Sequence, residues 1–585
     1  MARTVADDLL SILVRAGVTR IYGLVGDSLN ALSDAVRRSG GAANGGIDWV
    51  HVHNEEAAAF AASAEAQLTG RLAVCAGSCG PGNTHLIQGV LDAHRSGAPV
   101  LALASHIPTV NIGRGFFQET KPEALFAQAS HYCELVSQPS QIGWMTHIAV
   151  QNAVGKRGAA VLVLPGDVLA AHSAGEVAPN ATISTRPRPA PEPEAVSELA
   201  RRIEDAEKIA IFAGIGAAEA RAEVLQLAEV LQAPVGHTLR GKDVFGHHNG
   251  YDVGMTGLLG YGACYSALHE ADLLLLLGTD FPYPDFLPTD NNVQIDLDPA
   301  HLGRRAPLVQ GVAADVGLTL RDLLPRLKPR TRAKFLDGLL EQHEKMIRRG
   351  VHTYDHDPGE RRPIHPEYLA ALVDEHAAED AVFTVDTGMD CTWAARYLSP
   401  NGRRRMIGSW VHGSMANALP QAVGAQLAFP GRQVVSMSGD GGLAMLLGEL
   451  LTVKTHRLPV KVVVFNNSSL GMVRLEMLVA GDPPFETDHD PVDFAAIAAG
   501  AGFWSQRVTD PQELAAAVQA FFAVDGPALL DVVTDPNALE VPTHLTAAEV
   551  KGFALSLGKV ALDGGVKEVV GIARNNLRNL GGLDR

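Results

Sequence analysis

The sequence is poor in the features that would place it outside a reducing, aqueous compartment. It has five cysteines in 585 residues, and the two nearest, Cys75 and Cys79, are not spaced as a CxxC pair. A disulfide framework is excluded, and the five read as small buried apolar residues. No apolar run approaches the length of a bilayer-spanning helix, so any membrane contact would be peripheral. Basic residues are outnumbered, 48 Lys and Arg against 65 Asp and Glu, and the net charge of −17 argues against a nucleic-acid partner held on a basic surface. The first residues, MARTVADDLLSILVRAG, place acids where a secretory signal needs positive charge. They read as an amphipathic first helix of a cytoplasmic protein.

What is present is a βα rhythm, and one stretch of it carries chemistry. From Val434 the chain runs through an apolar strand, breaks on Gly439-Asp440-Gly441-Gly442, continues as an apolar crossover helix, and re-enters a β-branched run, Val460 to Phe465, ending on Asn466-Asn467. Such a unit is right-handed with parallel strands, so Asp440 and Asn467 emerge at one carboxyl edge. A carboxylate and an amide oxygen there suit Mg²⁺, with the Ser469 carbonyl completing the set, and the glycines let backbone N–H groups approach a diphosphate.

Length predicts three or four domains. The expected organisation is α/β throughout: three consecutive doubly wound parallel-sheet domains at 1–183, 184–335 and 336–530, then a C-terminal amphipathic tail at 531–585. The proline-rich stretch 171–194 is the linker after the first. In the first domain Asn54 is a plausible N-cap, which makes Glu55 and Glu56 ordinary first-turn acids. Phe117 and Gln118, on a glycine-hinged loop, either line a pocket or pin the loop.

In the middle domain four successive strand ends carry polar or glycine clusters: around Arg240, at Thr256-Gly257-Leu258-Leu259, at Thr279-Asp280-Phe281-Pro282-Tyr283, and at Asp296. In the third, Gly413-Ser414-Met415 precedes a helix of small residues, and Met472 and Glu476 follow the Asn-Asn pair. Val566, Val569, Val570, Ala573, Leu577 and Leu580 recur at helical spacing beside Lys567, Arg574 and Arg578, a candidate membrane-surface helix.

The Gly-Asp-Gly and Asn-Asn pattern resembles the thiamine diphosphate (ThDP) signature. With GDSLN at 26, AVCAGSCGPGN at 73, FQET at 117, HYCELVS at 131, LRGK at 239, YDVGMTGL at 251, WAARY at 393 and HGSMANALPQA at 412, the whole chain resembles the bacterial pyruvate:quinone oxidoreductases of the pyruvate oxidase and acetolactate synthase superfamily. The resemblance implies ThDP, Mg²⁺ and FAD as cofactors and pyruvate as substrate. It implies Glu55, or else Glu56, as the acid that protonates the aminopyrimidine N1′, although many relatives have histidine where this chain has Asn54. Gly413, Ser414, Gly441, Gly442 and Asn467-Ser468-Ser469-Leu470-Gly471-Met472 become ThDP contacts, with Met415 wedged beneath the cofactor.

The same resemblance places Arg240, Thr256 to Leu259, Thr279 to Tyr283 and Asp296 on the flavin, and Phe117, Gln118, Met472 and Glu476 at the substrate. It also implies a homotetramer with active sites shared between two subunits, a membrane quinone (ubiquinone or menaquinone) as acceptor, and lipid contact through the tail. Its rivals are a phosphate-using oxidase reducing O₂ and a carboligase whose FAD does no redox work.

Overall fold

The computed structural model describes residues 3–175, 187–331, 334–355, 362–539 and 547–562. They form three six-stranded sheets in which every strand pair is parallel. The first contains β1 (Arg20–Gly23), β2 (Asp48–His51), β3 (Ala73–Gly77), β4 (Val100–His106), β5 (Cys133–Leu135) and β6 (Ala159–Pro165) in the order β2-β1-β3-β4-β6-β5. The second contains β7 (Ile209–Ala213), β8 (Val235–His237), β9 (Asp252–Met255), β10 (Leu273–Leu277), β11 (Asn292–Asp296) and β12 (Leu308–Ala313) in the order β12-β11-β10-β7-β8-β9. The third contains β13 (Val382–Val385), β14 (Arg405–Gly408), β15 (Val434–Gly439), β16 (Lys461–Asn466), β17 (Trp504–Val508) and β18 (Ala528–Val533) in the order β14-β13-β15-β16-β18-β17, which repeats the first.

Central strands such as β6 and β10 are buried along their whole length, as expected of sheets covered by helices on both faces. The edge strands β5, β12 and β14 do not stand out in the sequence because they are short or alternate apolar with polar residues. The middle sheet, read from β9, has the strand order of a dinucleotide-binding fold, with its reversal between β7 and β10.

The crossover after β15 differs from the single helix expected. It is helical over Asp440–Met445, turns 3₁₀ over Leu447–Glu449 and resumes as Leu450–Thr455. Gly441, Gly442 and Gly448 are poor helix formers, and the break at Leu446 drives that side chain into a small cluster with Ala57, Phe60 and Ala416. The crossover thereby leans on the first sheet's helices.

Two helices of small residues join the first and third sheets. The Glu55–Thr69 helix is nearly half alanine, and it packs so closely on the Ala418–Ala428 helix that a β-carbon on Gly424 would fall on the Ala61 carbonyl oxygen. On its other side Gly89, of the Pro81–Arg95 helix, meets Ala59 and the Glu56 carbonyl. Alanine and glycine allow backbones to approach where larger side chains would hold them apart.

The C-terminal helix Ala547–Leu562 lies on the Gly471–Ala480 helix, where Phe553 packs with Leu475, Leu478 and Leu539 and the Ser556 hydroxyl donates to the Leu478 carbonyl at 2.8 Å. The amphipathic pattern Val566 to Leu580 lies outside the described residues. No helix among the described residues is long and apolar enough to cross a membrane.

Gly424→Ala should therefore destabilise the protein by about 1–3 kcal/mol through overpacking. Gly155→Ala, in a helix with open space around it, should not lower the melting temperature. Thermal unfolding followed by circular dichroism compares the two, and an unchanged melting temperature for Gly424→Ala would contradict the close approach.

Candidate active site

The third sheet reverses its order between β13 and β15, and a pocket of about 260 Å³ opens there at the carboxyl ends of the strands. Thr387 and Gly388 enter it from β13, Gly439 to Gly442 from β15, and Asn467 and Ser469 to Val473 from β16. Gly413, Met415 and Glu476 also line it. Of the metal and ThDP residues expected in this domain, all but Ser414 and Ser468 line this one crevice.

Asp440 is held there by its neighbours. Its Oδ1 accepts from Gly441 N at 2.8 Å, its Oδ2 accepts from Ser468 N at 2.5 Å, and His489 Nε2 lies 3.3 Å from Oδ2. Asn467 Oδ1 accepts from Ser469 N at 2.9 Å, and the Ser469 carbonyl accepts from Gly471 N at 2.9 Å. Asp440 Oδ1, Asn467 Oδ1 and the Ser469 carbonyl each accept one of these bonds and keep a lone pair for a cation. Ser468 takes a left-handed backbone, φ 54°, which lets this tight turn double back on Asp440.

The pocket fits a magnesium diphosphate. The hydroxyls of Thr387 and Ser469 are buried without a partner, two donors that phosphate oxygens would satisfy. A β-carbon on Gly442 would strike the Asp386 carboxyl, one on Gly439 would lie 2.9 Å from Asp390 Oδ2, and one on Gly441 2.8 Å from Leu470, so the backbone is bare where a phosphate would approach. Met415 reaches the same glycine turn, its methyl 3.4 Å from where a Gly441 β-carbon would stand.

Sequence reasoning missed two acids behind this turn. Asp386 is fully buried and pushed up to about 7 by that burial, despite accepting backbone N–H groups from Thr387 and from residues 416 to 418. Asp390 is raised well above the carboxylate range by burial and then by the charges of Asp386 and Asp440, and burial also raises Asp440. They stand behind the turn because β13 lies beside β15 at the reversal, an order that no local sequence pattern reports.

The loop bearing Gly413, Ser414 and Met415 is fastened to the first domain. Asp92, 0% exposed on the Pro81–Arg95 helix, accepts from the Ser409 hydroxyl at 2.7 Å and the Ser63 hydroxyl at 3.1 Å. Ser409 Oγ in turn accepts from Ser414 N at 2.9 Å, and Gln88 Nε2 donates to Ser414 Oγ at 2.9 Å.

Glu55 lies elsewhere. Asn54 caps its helix through the Glu56 N–H at 2.9 Å, as expected, and Glu55 is the buried member of the pair at 4% exposure. Its Oε2 is 3.1 Å from His85 Nδ1, and Gly82 leaves the space that its Oε1 occupies. Glu56 is half-buried and raised by desolvation. Gln118, on a separate loop after β4, packs on the turn before Gly82, and its Oε1 accepts from the Cys79 thiol at 3.4 Å, while Phe117 stands 78% exposed. None of Glu55, Phe117 or Gln118 lines the Asp440 pocket of its own chain, although Met472 and Glu476 do. Both groups sit at strand carboxyl ends, but on two different sheets.

The middle-domain residues form two sets. Gly257, at φ 97°, nestles against the Phe281 and Tyr283 rings, and the adjacent Thr256 hydroxyl is buried without a partner. Leu258 is half-buried. Tyr283 and Pro282 are exposed, and the strand end carrying Gly257 is tied to the third domain: Leu259 packs on the same core cluster as the pocket residue Met472, and Arg396 Nη2 donates to the Gly260 carbonyl at 3.0 Å. The Phe281 side chain is buried edge-on against Phe212, 5.2 Å between ring centres, and buried Thr279 stands two residues before it. Elsewhere, Asp280 pairs with Arg304 and Arg305, Asp296 accepts from Asp298 N at 3.0 Å and faces His301, and Arg240 donates to the Ser96 carbonyl at 2.8 Å.

Three family domains match in chain order: the N-terminal TPP binding domain of thiamine pyrophosphate enzymes over residues 3–125, the central domain over 196–323, and the C-terminal TPP binding domain over 386–532. The chain belongs to the thiamine pyrophosphate enzymes. Among similar members of the family, YdaP of Bacillus subtilis is 34% identical over 94% of this chain and 95% of its own. Pyruvate oxidase of Lactiplantibacillus plantarum is 30% identical over 90% and 87%, and the acetolactate synthase large subunit of Parasynechococcus marenigrum 31% over 90% and 86%.

In this thiamine pyrophosphate enzyme the Asp92 anchor yields a pH test. Burial pushes Asp92 up to about 6 from 3.8, so the folded chain binds its proton more tightly than the unfolded chain does. Its contribution is fully present below the unfolded value and is lost as pH rises to about 6, a change of about 3 kcal/mol. The stability difference between wild type and Asp92→Asn should fall by that order across this window in denaturant titrations. A flat difference would contradict the burial.

Proposed function

We propose that the protein decarboxylates pyruvate oxidatively to acetate and CO₂, using ThDP, Mg²⁺ and FAD, and passes the electrons to a membrane quinone. The observation that carries the redox part is the packing of the Gly257 strand end on the third domain, where Leu259 joins the same core cluster as the pocket residue Met472 and Arg396 Nη2 donates to the Gly260 carbonyl at 3.0 Å. A flavin held at that strand end would lie beside the substrate. The relatives named pyruvate oxidase and acetolactate synthase bound the reading on either side.

Bound ThDP supplies the nucleophilic carbon and the electron sink for loss of CO₂, and FAD takes up two electrons. The chain's own residues do the rest. Asp440, Asn467 and the Ser469 carbonyl would hold Mg²⁺, while the Thr387 and Ser469 hydroxyls and the glycine turn would hold the diphosphate. Met415 would support the bent arrangement of the rings from below, which is preorganisation. Glu55, in its buried site beside His85, would hold a proton at the aminopyrimidine N1′. Met472 and Glu476 would face the substrate from one chain, and Phe117 and Gln118 from another.

Because Glu55 and Asp440 do not share a pocket within one chain, the proposal includes sites completed by a second copy in a homotetramer. Glu55→Gln and Asp440→Asn should each abolish decarboxylation alone. Mixed and allowed to exchange subunits, they should recover about a quarter of wild-type activity, since half of the pairs carry one intact site. No recovery despite demonstrated exchange would place both residues in one chain's site.

Under anaerobic conditions with ThDP and Mg²⁺, pyruvate should bleach the flavin absorbance and a soluble quinone should restore it. Flavin that stays oxidised while CO₂ is released would instead establish a carboligase, and acetyl phosphate formed only with added phosphate would establish the phosphate-using oxidase.

A further inference from the structure

Nine residues beyond Asp440, the broken crossover places Glu449 against the turn that launches Glu55. Glu449 is 1% exposed, and its hydrogen-bond partners are all donors, although the nearby Glu55 carboxyl acts on it as a like charge. Its Oε1 accepts from His53 N at 3.1 Å, it also accepts from the Asn54 backbone N–H, and its Oε2 accepts from the Thr452 hydroxyl at 2.5 Å. His53 Nδ1 lies 2.9 Å from Thr452 Oγ1, which completes a ring of bonds if Nδ1 carries the proton, and His456 Nε2 donates to the His51 carbonyl at 2.8 Å. Residues 51 to 54 are therefore held from the third domain, immediately before Glu55. A buried carboxyl would be expelled or neutralised unless its geometry were worth keeping. An amide of the same shape would turn a donor toward one of those donors.

We infer that Glu449 is a positioning residue for Glu55: its carboxylate fixes the backbone of the His53–Asn54 turn and so sets where the Glu55 carboxyl stands relative to the cofactor it serves. The inference rests on the proposed role of Glu55. Glu449 touches neither the Asp440 pocket nor the substrate, and it acts through the turn alone.

The test is the rate at which the C2 proton of bound ThDP exchanges with deuterium, read by quenched-flow NMR on holoenzyme with Mg²⁺ at pH 8. Glu449→Gln should slow this exchange about tenfold or more, as small displacements of a catalytic group do, while leaving the affinities for ThDP and Mg²⁺ unchanged. Backbone amide exchange at residues 53 to 55 of the cofactor-free protein should rise in the same variant. Thr452→Val, which removes one donor without touching the acid, should slow C2 exchange about threefold or more, and it decides the matter should Glu449→Gln not fold. Wild-type C2 exchange in a folded Glu449→Gln, or in Thr452→Val where that variant stands alone, would overturn the inference and leave Glu449 an interdomain clamp. Glu55→Gln is the control: if it too exchanges at the wild-type rate, the role of Glu55 fails and this inference falls with it.

Discussion

The close approach of two small-residue helices is the constraint on which the rest depends. Where Gly424 passes over the Ala61 carbonyl, the first and third sheets are fixed to each other with no side chain between them. That distance sets how far the Pro81–Arg95 helix can reach, and hence that Asp92 and Gln88 can grip the loop of Ser409 to Met415. It also brings the kinked crossover to the Glu55 turn, where Leu446 packs on Ala57 and Phe60. A bulkier seam would loosen the Met415 loop and the Glu55 turn together, although neither lies in the seam. Stability and site geometry therefore share one interface.

Buried acids concentrate along this frame, and each is offset by donors that fix a piece of backbone. Asp386 gathers N–H groups from residues 416 to 418, which requires Ala416 to adopt φ 68°. A left-handed alanine is unfavourable by about 1–2 kcal/mol. The strain is retained because the loop it shapes carries Met415 over the glycine turn. Glu449, pushed up to about 7 by burial, and Asp92 do the same for the turn before Glu55 and for Ser409. Apolar replacements would pack more cheaply but would leave those backbone groups without acceptors.

Much of this was legible in the sequence because parallel sheets translate simply. Apolar runs such as Leu273 to Leu277 mark buried strands, and a polar cluster after each run marks the carboxyl edge. Hence Asp440 and Asn467 could be brought together from spacing alone, and Asn54 could be assigned as a helix cap. Strand order could not, because it is set by which helix faces find each other, and so Asp386, Thr387 and Asp390 went unnoticed beside a turn already singled out. The break at Leu446 was hidden for a related reason: its driving force is a contact with residues nearly 400 positions earlier. The burial of Phe281 likewise depends on Phe212 of another strand, which no local pattern reports.

The separation of Glu55 from Asp440 follows from the repeated strand order. Two sheets of the same order, joined through helices that each cover one face, direct their carboxyl edges to different places. On the proposed reading a single chain therefore presents a half-site on each sheet. The first-domain half keeps apolar groups in water, with Phe116 and Phe117 both exposed beside Gln118. Large side chains on a glycine-hinged loop gain nothing by solvation, and contiguous exposed apolar surface marks a face that meets something else. The third-domain half has the opposite shortage, with buried hydroxyls at Thr387 and Ser469 that lack partners. In the proposed homotetramer a second copy would bring the acid and the aromatic loop to the half that would hold the cofactor without moving either sheet, so the shared site would be assembled from rigid parts.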